Sequence, residues 1–220
     1  MLLLFQNKIH FMKVLIADDH PVVLKGLKQI LAELNITELI EEARDGNEAL
    51  KKILSRKFDF IILDISMPGM SGLDILKALK DQNEKINVLI LSVHSPAQFA
   101  IRALRLGASG YISKDSAPSE LEFAIRKISS GGKYVSTDVV EKLVSVNNKE
   151  NDIILHNSLS EREFQVMCLL AKGTSLKEIG KKLFLSEKTV TTYRSRLLEK
   201  MKMRSNSELA LYAYKNNLIE

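Results

Sequence analysis

Several polar residues follow short apolar runs in the first half of the chain, each at the point where a run stops. They are Asp18 and Asp19, Asp64, Ser92 and Lys114. Carboxylates held close together repel one another unless a cation joins them, and Mg²⁺ is the hard divalent ion that such oxygen ligands suit. A carboxylate beside a metal ion, a lysine and a hydroxyl can accept a phosphoryl group, since the cations neutralise the phosphoryl oxygens. These residue types therefore predict phosphoryl-transfer chemistry if the fold brings them together.

The apolar run before Asp64 sets the expected architecture. Phe58 to Leu63 is rich in β-branched and aromatic residues and leads into Asp64 and a Pro-Gly turn, a pattern typical of a buried parallel strand. Four other runs have the same character: 14–17, 38–43, 87–91 and 110–113. Amphipathic stretches between and after them predict helices at 21–34, 47–55, 73–79, 97–106 and 118–129. This alternation predicts an α/β fold, a flavodoxin-like doubly wound parallel sheet of five strands in the order 2-1-3-4-5. Its carboxyl edge would collect the polar residues.

The second half of the chain has a different texture, without strand-like runs after Leu159. Three Ser-x-x-Glu capping boxes begin at Ser160, Ser175 and Ser205, and Ser186 caps a further helix. These signals predict four helices, at 160–172, 175–184, 187–203 and 206–217. Only three residues separate the second helix from the third, which is the spacing of a helix-turn-helix.

The third of these helices has two distinct faces. Its apolar face, with Val190, Tyr193, Leu197 and Met201, should pack on the other helices. Its polar face would enter the major groove of DNA. The residues expected to contact base edges are Thr191, Thr192 and Ser195. Those expected to contact phosphates are Lys181, Lys182, Lys188, Arg194, Arg196 and Lys200.

Charge is distributed unevenly along the chain, whose net charge is +5. Residues 13–135 carry 17 basic and 16 acidic side chains, whereas residues 158–220 carry 12 and 7. The basic excess thus lies in the helical half, as expected for a segment that binds a polyanion.

Domain boundaries and compartment follow from composition. We expect an N-terminal tail at 1–12, an α/β domain at 13–132, a linker at 133–157 with a short helix at 138–146, and a helix-turn-helix domain at 158–220. The chain has one cysteine, Cys168, and no apolar run long enough to span a bilayer, so a cytoplasmic protein without a membrane partner is expected.

The motifs ADDHP, FIILDISMPG, ILSVH and GYISKD occur in this order, and residues 13–132 resemble the receiver domain of a two-component response regulator. The resemblance implies that Asp64 is the phosphorylated residue. It also implies that Asp18, Asp19 and Asp64 hold Mg²⁺ together with the backbone carbonyl of Ser66. His20 and His94 are expected to be local hydrogen-bonding or surface residues rather than metal ligands.

The same resemblance assigns roles in switching. Ser92 would be the hydroxyl that engages phosphate, and Lys114 the lysine that pairs with it. Tyr111 would be the aromatic side chain that moves inward when Ser92 does so.

Residues 158–217 resemble the LuxR-type helix-turn-helix of NarL/FixJ response regulators. The whole chain is therefore expected to be a DNA-binding transcription factor that is controlled by phosphorylation. A sensor histidine kinase or a small phosphodonor would supply the phosphoryl group, and the active form would be a homodimer on double-stranded DNA. No enzymatic turnover is expected beyond slow self-phosphorylation and self-dephosphorylation at Asp64.

Three alternatives remain at this level. The α/β domain could be a dimerisation scaffold in a phosphorylation-independent transcription factor, although a scaffold needs neither Lys114 nor three carboxylates. A phosphohydrolase could use Asp64 as its nucleophile, but Ser66 stands where such enzymes commonly carry a second acid. A protein-interaction adaptor would leave the helix-turn-helix unexplained.

Overall fold

The computed structural model describes residues 11–82, 86–92, 97–137, 139–141, 155–216 and 218–219. The predicted tail up to residue 10, most of the predicted helix at 138–146, and His94 lie outside these residues. Among the described residues, no helix is both long and apolar enough to cross a bilayer.

Parallel strands form a single sheet in the order β2-β1-β3-β4-β5-β6. Their bounds are β1 Met12–Ala17, β2 Thr37–Ala43, β3 Phe60–Asp64, β4 Asn87–Ser92, β5 Gly110–Ser113 and β6 Tyr134–Val135. The flavodoxin-like order of the first five strands was predicted, but the prediction of five strands in all was wrong. The sixth lies in the predicted linker, where the Tyr134 amide donates to the Ser109 carbonyl at 3.1 Å.

Helices cover both faces of this sheet. They are α1 Pro21–Leu34, α2 Gly46–Ser55, α3 Gly72–Asp81, α4 Ala97–Leu106 and α5 Ala117–Ser129. Val14 and Ile16 of β1 belong to the core beneath α1 and α5, and Leu15 and Ala17 to the core beneath α2, α3 and α4. From Val14 onward the strand is apolar, because successive side chains point to opposite, equally buried faces.

The C-terminal domain begins with a 3-10 helix, Leu155–Ser158, and continues with four α-helices. These are α6 Glu161–Ala171, α7 Leu176–Leu183, α8 Glu187–Lys200 and α9 Asn206–Lys215. The turn between α7 and α8 is tight because Gly180 lies under it: a Cβ there would be 2.7 Å from the Leu185 carbonyl oxygen.

The predicted caps start these helices, with one difference. Ser160 and Ser175 form reciprocal capping boxes with Glu163 and Glu178. At α9 the Ser205 hydroxyl accepts from the Glu208 amide, but the Glu208 carboxylate accepts from the amide of Arg204. The third predicted box is therefore only half formed.

The two domains pack against each other through α4 and α6. Phe99 of α4 meets Phe164 of α6 edge to face, with ring centroids 5.0 Å apart. Both side chains are at most 2% exposed and lie in one hydrophobic cluster that extends across the two domains. Because this cluster has members in both domains, α6 belongs to two cores at once.

Candidate functional site

The carboxyl edge of the sheet holds a buried network of two carboxylates and one ammonium. Asp18 directly follows β1, Asp64 ends β3, and Lys114 directly follows β5. The Lys114 Nζ lies 2.6 Å from the Asp18 Oδ2 and 3.1 Å from the Asp64 Oδ2. Asp18 and Asp64 are each 1% exposed. The structure thus brings together three of the residues that the sequence placed at separate strand ends.

Burial sets the electrostatics of this network. Desolvation raises the pKa of Asp64 to about 6, against the opposing effect of Lys114 and with a further contribution from the Asp18 charge. For Lys114, burial disfavours the ammonium, but the Asp64 and Asp18 carboxylates outweigh it and the pKa is raised. Lys114 therefore stays charged. Asp64 is ionised at neutral pH, although burial makes its ionised form less stable.

Asp19 and His20 extend the network toward solvent. The His20 Nδ1 lies 2.9 Å from the Asp19 Oδ1 and 3.1 Å from the Asp18 Oδ1, and the His20 side chain is 61% exposed. Its backbone amide also donates to the Asp18 Oδ1 at 2.9 Å. The His20 side chain thus contacts both carboxylates from the surface of the protein.

The carboxylates fit a divalent cation. One ligand atom from each of Asp18, Asp19, His20 and Asp64 lies within 4.8 Å of the others. The Asp64 Oδ1 is buried without a hydrogen-bond partner in the described part of the chain. Oxygen donors of this kind suit Mg²⁺. Ser66, the predicted carbonyl ligand, lies two residues beyond the end of β3.

Ser92 and Tyr111 lie on the two neighbouring strands. Ser92 is the last residue of β4, 1% exposed, and pairs in register with Ser113 of β5. Tyr111 is fully buried and pairs with Ile90. The predicted switch thus has its aromatic side chain inside the protein already.

The loop after Asp64 is fixed by its carbonyl groups. The Pro68 carbonyl accepts from the Gly46 amide at 2.9 Å. Gly69 has a positive φ of 75°, and a Cβ there would be 2.7 Å from the side-chain nitrogen of Asn47. Only glycine fits this turn without strain. The carbonyls of Met67 and Gly69 both accept from one guanidinium, that of Arg162 on α6.

A second arginine connects the domains, in this case from the α/β domain to the helical domain. Arg102 of α4 donates to the carbonyl of Leu159 at 3.2 Å, to Glu161 at 2.9 Å and to the carbonyl of His156. Its guanidinium also lies over the ring of Phe164, 4.1 Å from the centroid. These contacts leave Arg102 only 8% exposed.

His156 belongs to this contact between domains. Its Nδ1 lies 2.9 Å from the hydroxyl oxygen of Tyr212 on α9. Burial, and then the positive charge of Arg102, lowers the pKa of His156 to about 4. Sequence reasoning missed His156, Arg102 and Arg162. A charged residue on an amphipathic helix or in its first turn reads as solvent-exposed unless the packing partner is known.

The polar face of α8 is exposed even though the domains are packed together. Lys188, Thr191, Thr192 and Ser195 all lie on the surface. The predicted packing face is buried: Val190, Leu197 and Met201 are at most 1% exposed, with Tyr193 half-buried. The hydroxyls of the two threonines donate to carbonyls one turn earlier, so their methyl groups and oxygen lone pairs remain for a ligand.

The six predicted phosphate contacts fall into two groups. Exposed side chains belong to Lys181, Lys182, Lys188 and Arg196. The other two have partners within the domain, although Lys200 is also exposed. The Arg194 Nε donates to the Asn206 Oδ1 at 2.8 Å, and the Lys200 Nζ lies 2.7 Å from a carboxylate oxygen of Glu163. These two basic side chains stabilise the helical domain in the observed arrangement.

Comparison with known proteins gives a match for each domain. The family of response regulator receiver domains matches residues 14–126, and the luxR family of bacterial regulatory proteins matches residues 157–213. The oxygen regulatory protein NreC of Staphylococcus haemolyticus is 37% identical over 216 residues, 95% of this chain and 100% of that protein.

Solved structures are similar over most of the chain. RcsB from Salmonella enterica serovar Typhimurium, bound to promoter P1flhDC in the presence of the phosphomimetic BeF3−, has a TM-score of 0.59 and 27% identity. The similarity covers 91% of this chain and 97% of that one. A structure of two RcsB dimers bound to two parallel DNAs has a TM-score of 0.61 and 26% identity, covering 93% and 98%.

Proposed function

This chain belongs to the response regulators that join a receiver domain to a LuxR-type DNA-binding domain, and we propose that phosphorylation of Asp64 controls it. One observation carries the proposal: the Lys114 ammonium bridges Asp18 and Asp64 at the carboxyl edge of the sheet. A buried carboxylate beside an ammonium and two further acids has the charges that phosphoryl transfer needs.

In the transfer, an Asp64 carboxylate oxygen attacks phosphorus and forms an acyl phosphate. The bond from phosphorus to the donor breaks, and the donor leaves with that electron pair. Lys114 lies where it can pair with a phosphoryl oxygen, and the Ser92 hydroxyl is the proposed hydrogen-bond donor to another. Asp18, Asp19, Asp64 and the Ser66 carbonyl would hold Mg²⁺, which supplies further positive charge to the transferring group.

The proposed donors are the phosphohistidine of a sensor histidine kinase and small acyl phosphates, in the cytoplasm. Residue 66 is a serine, whereas phosphohydrolases with an aspartate nucleophile commonly carry a second acid at that position. We therefore propose slow self-dephosphorylation rather than enzymatic turnover. The alternative of a receiver used only as a dimerisation scaffold would leave the buried Lys114 network without a role.

We propose that α8 enters the major groove with Thr191, Thr192 and Ser195 toward the base edges. Exposure of this face supports the assignment, and so does the RcsB structure with promoter DNA. Lys181, Lys182, Lys188 and Arg196 are the phosphate contacts that this arrangement favours. Arg194 and Lys200 would first have to leave Asn206 and Glu163.

The output step follows from what the packed domains leave exposed. Because the receiver domain covers α6 and not the polar face of α8, phosphorylation need not uncover the DNA-binding face. We propose that it frees α6, through Ser92 and Tyr111, so that two chains pair on a two-half-site operator. The structure of RcsB dimers on DNA supports a homodimer as the active form.

Intact-protein mass after incubation with Mg²⁺ and acetyl phosphate tests the proposal. One base-labile phosphoryl group is expected on the wild type and none on Asp64→Asn. Operator affinity should rise with the phosphoryl group or a phosphate mimic. Incorporation into Asp64→Asn would show that another residue accepts the phosphoryl group, and no incorporation into either chain would move the assignment to the scaffold alternative.

A further inference from the structure

The phosphoacceptor loop is held by a side chain of the other domain. One terminal nitrogen of Arg162 donates to the carbonyls of Met67 and Gly69 at 3.1 and 3.2 Å. Its other terminal nitrogen donates to the Gln165 side chain at 2.8 Å. Arg162 is 7% exposed, so the guanidinium reaches from α6 into the receiver domain.

The buried charge of Arg162 is stabilised mainly by hydrogen bonds to that loop. Burial lowers its pKa, and Asp74 acts on it only from beyond ion-pair distance. Within the described ranges, no carboxylate lies within 4.0 Å of its nitrogens. A buried charge without a counter-ion is tolerated only where hydrogen bonds satisfy it. Two of the three acceptors are loop carbonyls. A change in loop geometry therefore weakens the contact between α6 and the receiver domain.

The loop can transmit a change at the metal site. Ser66, the proposed carbonyl ligand, directly precedes Met67, and the carbonyls of residues 67, 68 and 69 are all engaged. The residue that would offer its carbonyl to a cation is therefore bonded directly to a residue that Arg162 holds.

The pocket geometry that accompanies the packed domains also opposes a cation. Lys114 lies 2.6 Å from Asp18, one of the proposed metal ligands. An ammonium and a divalent cation on the same carboxylate repel each other. Movement of Lys114 away from Asp18 would therefore favour the binding of a cation.

From these contacts we infer that Arg162 is a positioning residue for the phosphoacceptor site. It holds the loop in the geometry that leaves Lys114 on Asp18, and thereby opposes loading with Mg²⁺ and a phosphoryl group. By linkage, loading opposes the docking of α6 by the same factor. The inference rests on the proposed role of Asp64 and names the residue through which the DNA-binding domain restrains it.

Part of the interface between the domains lacks hydrogen-bond partners. Four of its buried polar atoms have no hydrogen-bond partner among the residues described: Arg102 Nε, His156 Nε2, Glu161 Oε2 and Gln165 Nε2. Unsatisfied buried groups reduce the stability of a packed arrangement. Loss of the Arg162 acceptors would add to these unsatisfied groups.

The chain contains a cysteine whose reactivity can report whether the two domains are packed together. Cys168, its single cysteine, is 6% exposed and lines a small cavity together with Phe99 of the receiver domain. Burial raises the pKa of the thiol to about 12, so its alkylation is slow while the domains are packed. Separation of α4 from α6 would expose it.

The test compares the full-length wild type with Arg162→Ala, Arg162→Lys and Arg204→Ala. Arg204 is exposed and lies away from the interface, so it is the matched control. Three quantities are measured: the alkylation rate of Cys168, Mg²⁺ affinity by calorimetry, and phosphoryl incorporation from acetyl phosphate. Circular dichroism establishes folding, and Arg162→Lys, which keeps the charge but not the planar fork, serves if the alanine variant does not fold.

We expect Arg162→Ala to raise all three quantities by about tenfold, within the range usual for coupled sites. Arg162→Lys should be intermediate and Arg204→Ala unchanged. Faster alkylation with unchanged Mg²⁺ affinity and incorporation would overturn the inference, because Arg162 would then only dock α6. Unchanged alkylation would also overturn it. If no chain incorporates phosphate, the proposed function fails, and Mg²⁺ affinity alone decides the inference: a rise supports it, no change refutes it.

Discussion

Arg102 lies over the ring of Phe164 with its guanidinium carbon 4.1 Å from the ring centroid. The arginine comes from the receiver domain and the phenylalanine from the DNA-binding domain. The same guanidinium pairs with Glu161 at 2.9 Å, so aromatic, ionic and backbone contacts meet at one buried charge. The two domains therefore unfold as separate units only if this contact is broken first.

Replacing Arg102 with alanine should uncouple the domains. Breaking a buried ion pair from one side costs about 3–5 kcal/mol, because the Glu161 carboxylate is left without its partner. Differential scanning calorimetry should resolve two transitions for Arg102→Ala where the wild type shows one. Arg105→Ala, an exposed arginine on the same helix, is the control and should keep the wild-type profile. A single unshifted transition for Arg102→Ala would contradict the role given to this contact.

Acid should weaken the fold through His156. Burial and the charge of Arg102 lower its pKa to about 4 in the folded chain, against 6.5 for a histidine in water. The unfolded chain binds this proton more readily, so the stabilisation is complete above pH 6.5 and is lost as the pH falls toward 4. The loss is at most about 3 kcal/mol.

The check is the free energy of unfolding, by denaturant titration, at several pH values between 7 and 5. Both chains carry Asp64→Asn, because the raised pKa of Asp64 acts in the opposite sense over this range. The chain that keeps His156 should then lose stability as the pH falls. His156→Asn, whose amide can still meet the Tyr212 hydroxyl, should lose less. Parallel curves for the two chains would exclude His156 as the source.

Without metal, Asp64→Asn should be more stable than the wild type. The folded pKa of Asp64 is raised to about 6 by burial, so the ionised carboxylate destabilises the fold at neutral pH. Removing its charge should add up to about 3 kcal/mol in a chelator. Thermal unfolding should then show Mg²⁺ stabilising the wild type and leaving the asparagine chain almost unchanged. A less stable Asp64→Asn in chelator would contradict this electrostatic account.

Two arginines on α8 should affect DNA binding differently. Arg196 is exposed, whereas Arg194 donates to Asn206. For a duplex of arbitrary sequence, each lost phosphate contact lowers the salt slope of log K by about 0.9. Fluorescence anisotropy at several salt concentrations should show that decrease for Arg196→Ala only. Arg194→Ala should instead lower the melting temperature of the protein. An equal decrease in slope for both would mean that Arg194 leaves Asn206 on DNA.

The pocket could be predicted because its residues take their positions from the sheet. Asp18, Asp64 and Lys114 each stand where a buried parallel strand stops, and such strands end at one edge. The apolar runs specify the strands, so the convergence of these side chains follows from local pattern alone. The helix faces of α8 were predictable for the same reason, since Val190 and Leu197 recur at helical spacing.

The sixth strand and the domain contact could not be predicted in this way. Two residues, Tyr134 and Val135, are too short a run to give a strand signal, and they pair only because β5 offers a free edge. Arg102 and Arg162 lie on amphipathic helices where solvent is the ordinary environment of an arginine. Their burial depends on the distance between domains, which no local pattern encodes.

The exposed polar face of α8 bears on how fast a signal can be answered. Lys188 and its neighbours remain on the surface while α6 packs against the receiver domain, so the proposed phosphate contacts would stay accessible to a duplex in the packed chain. Non-specific binding through phosphates lets a protein slide along DNA. A chain that is already bound to DNA when its signal arrives can reach its operator by sliding along the duplex. Its response time is then not limited by diffusion through the cell volume.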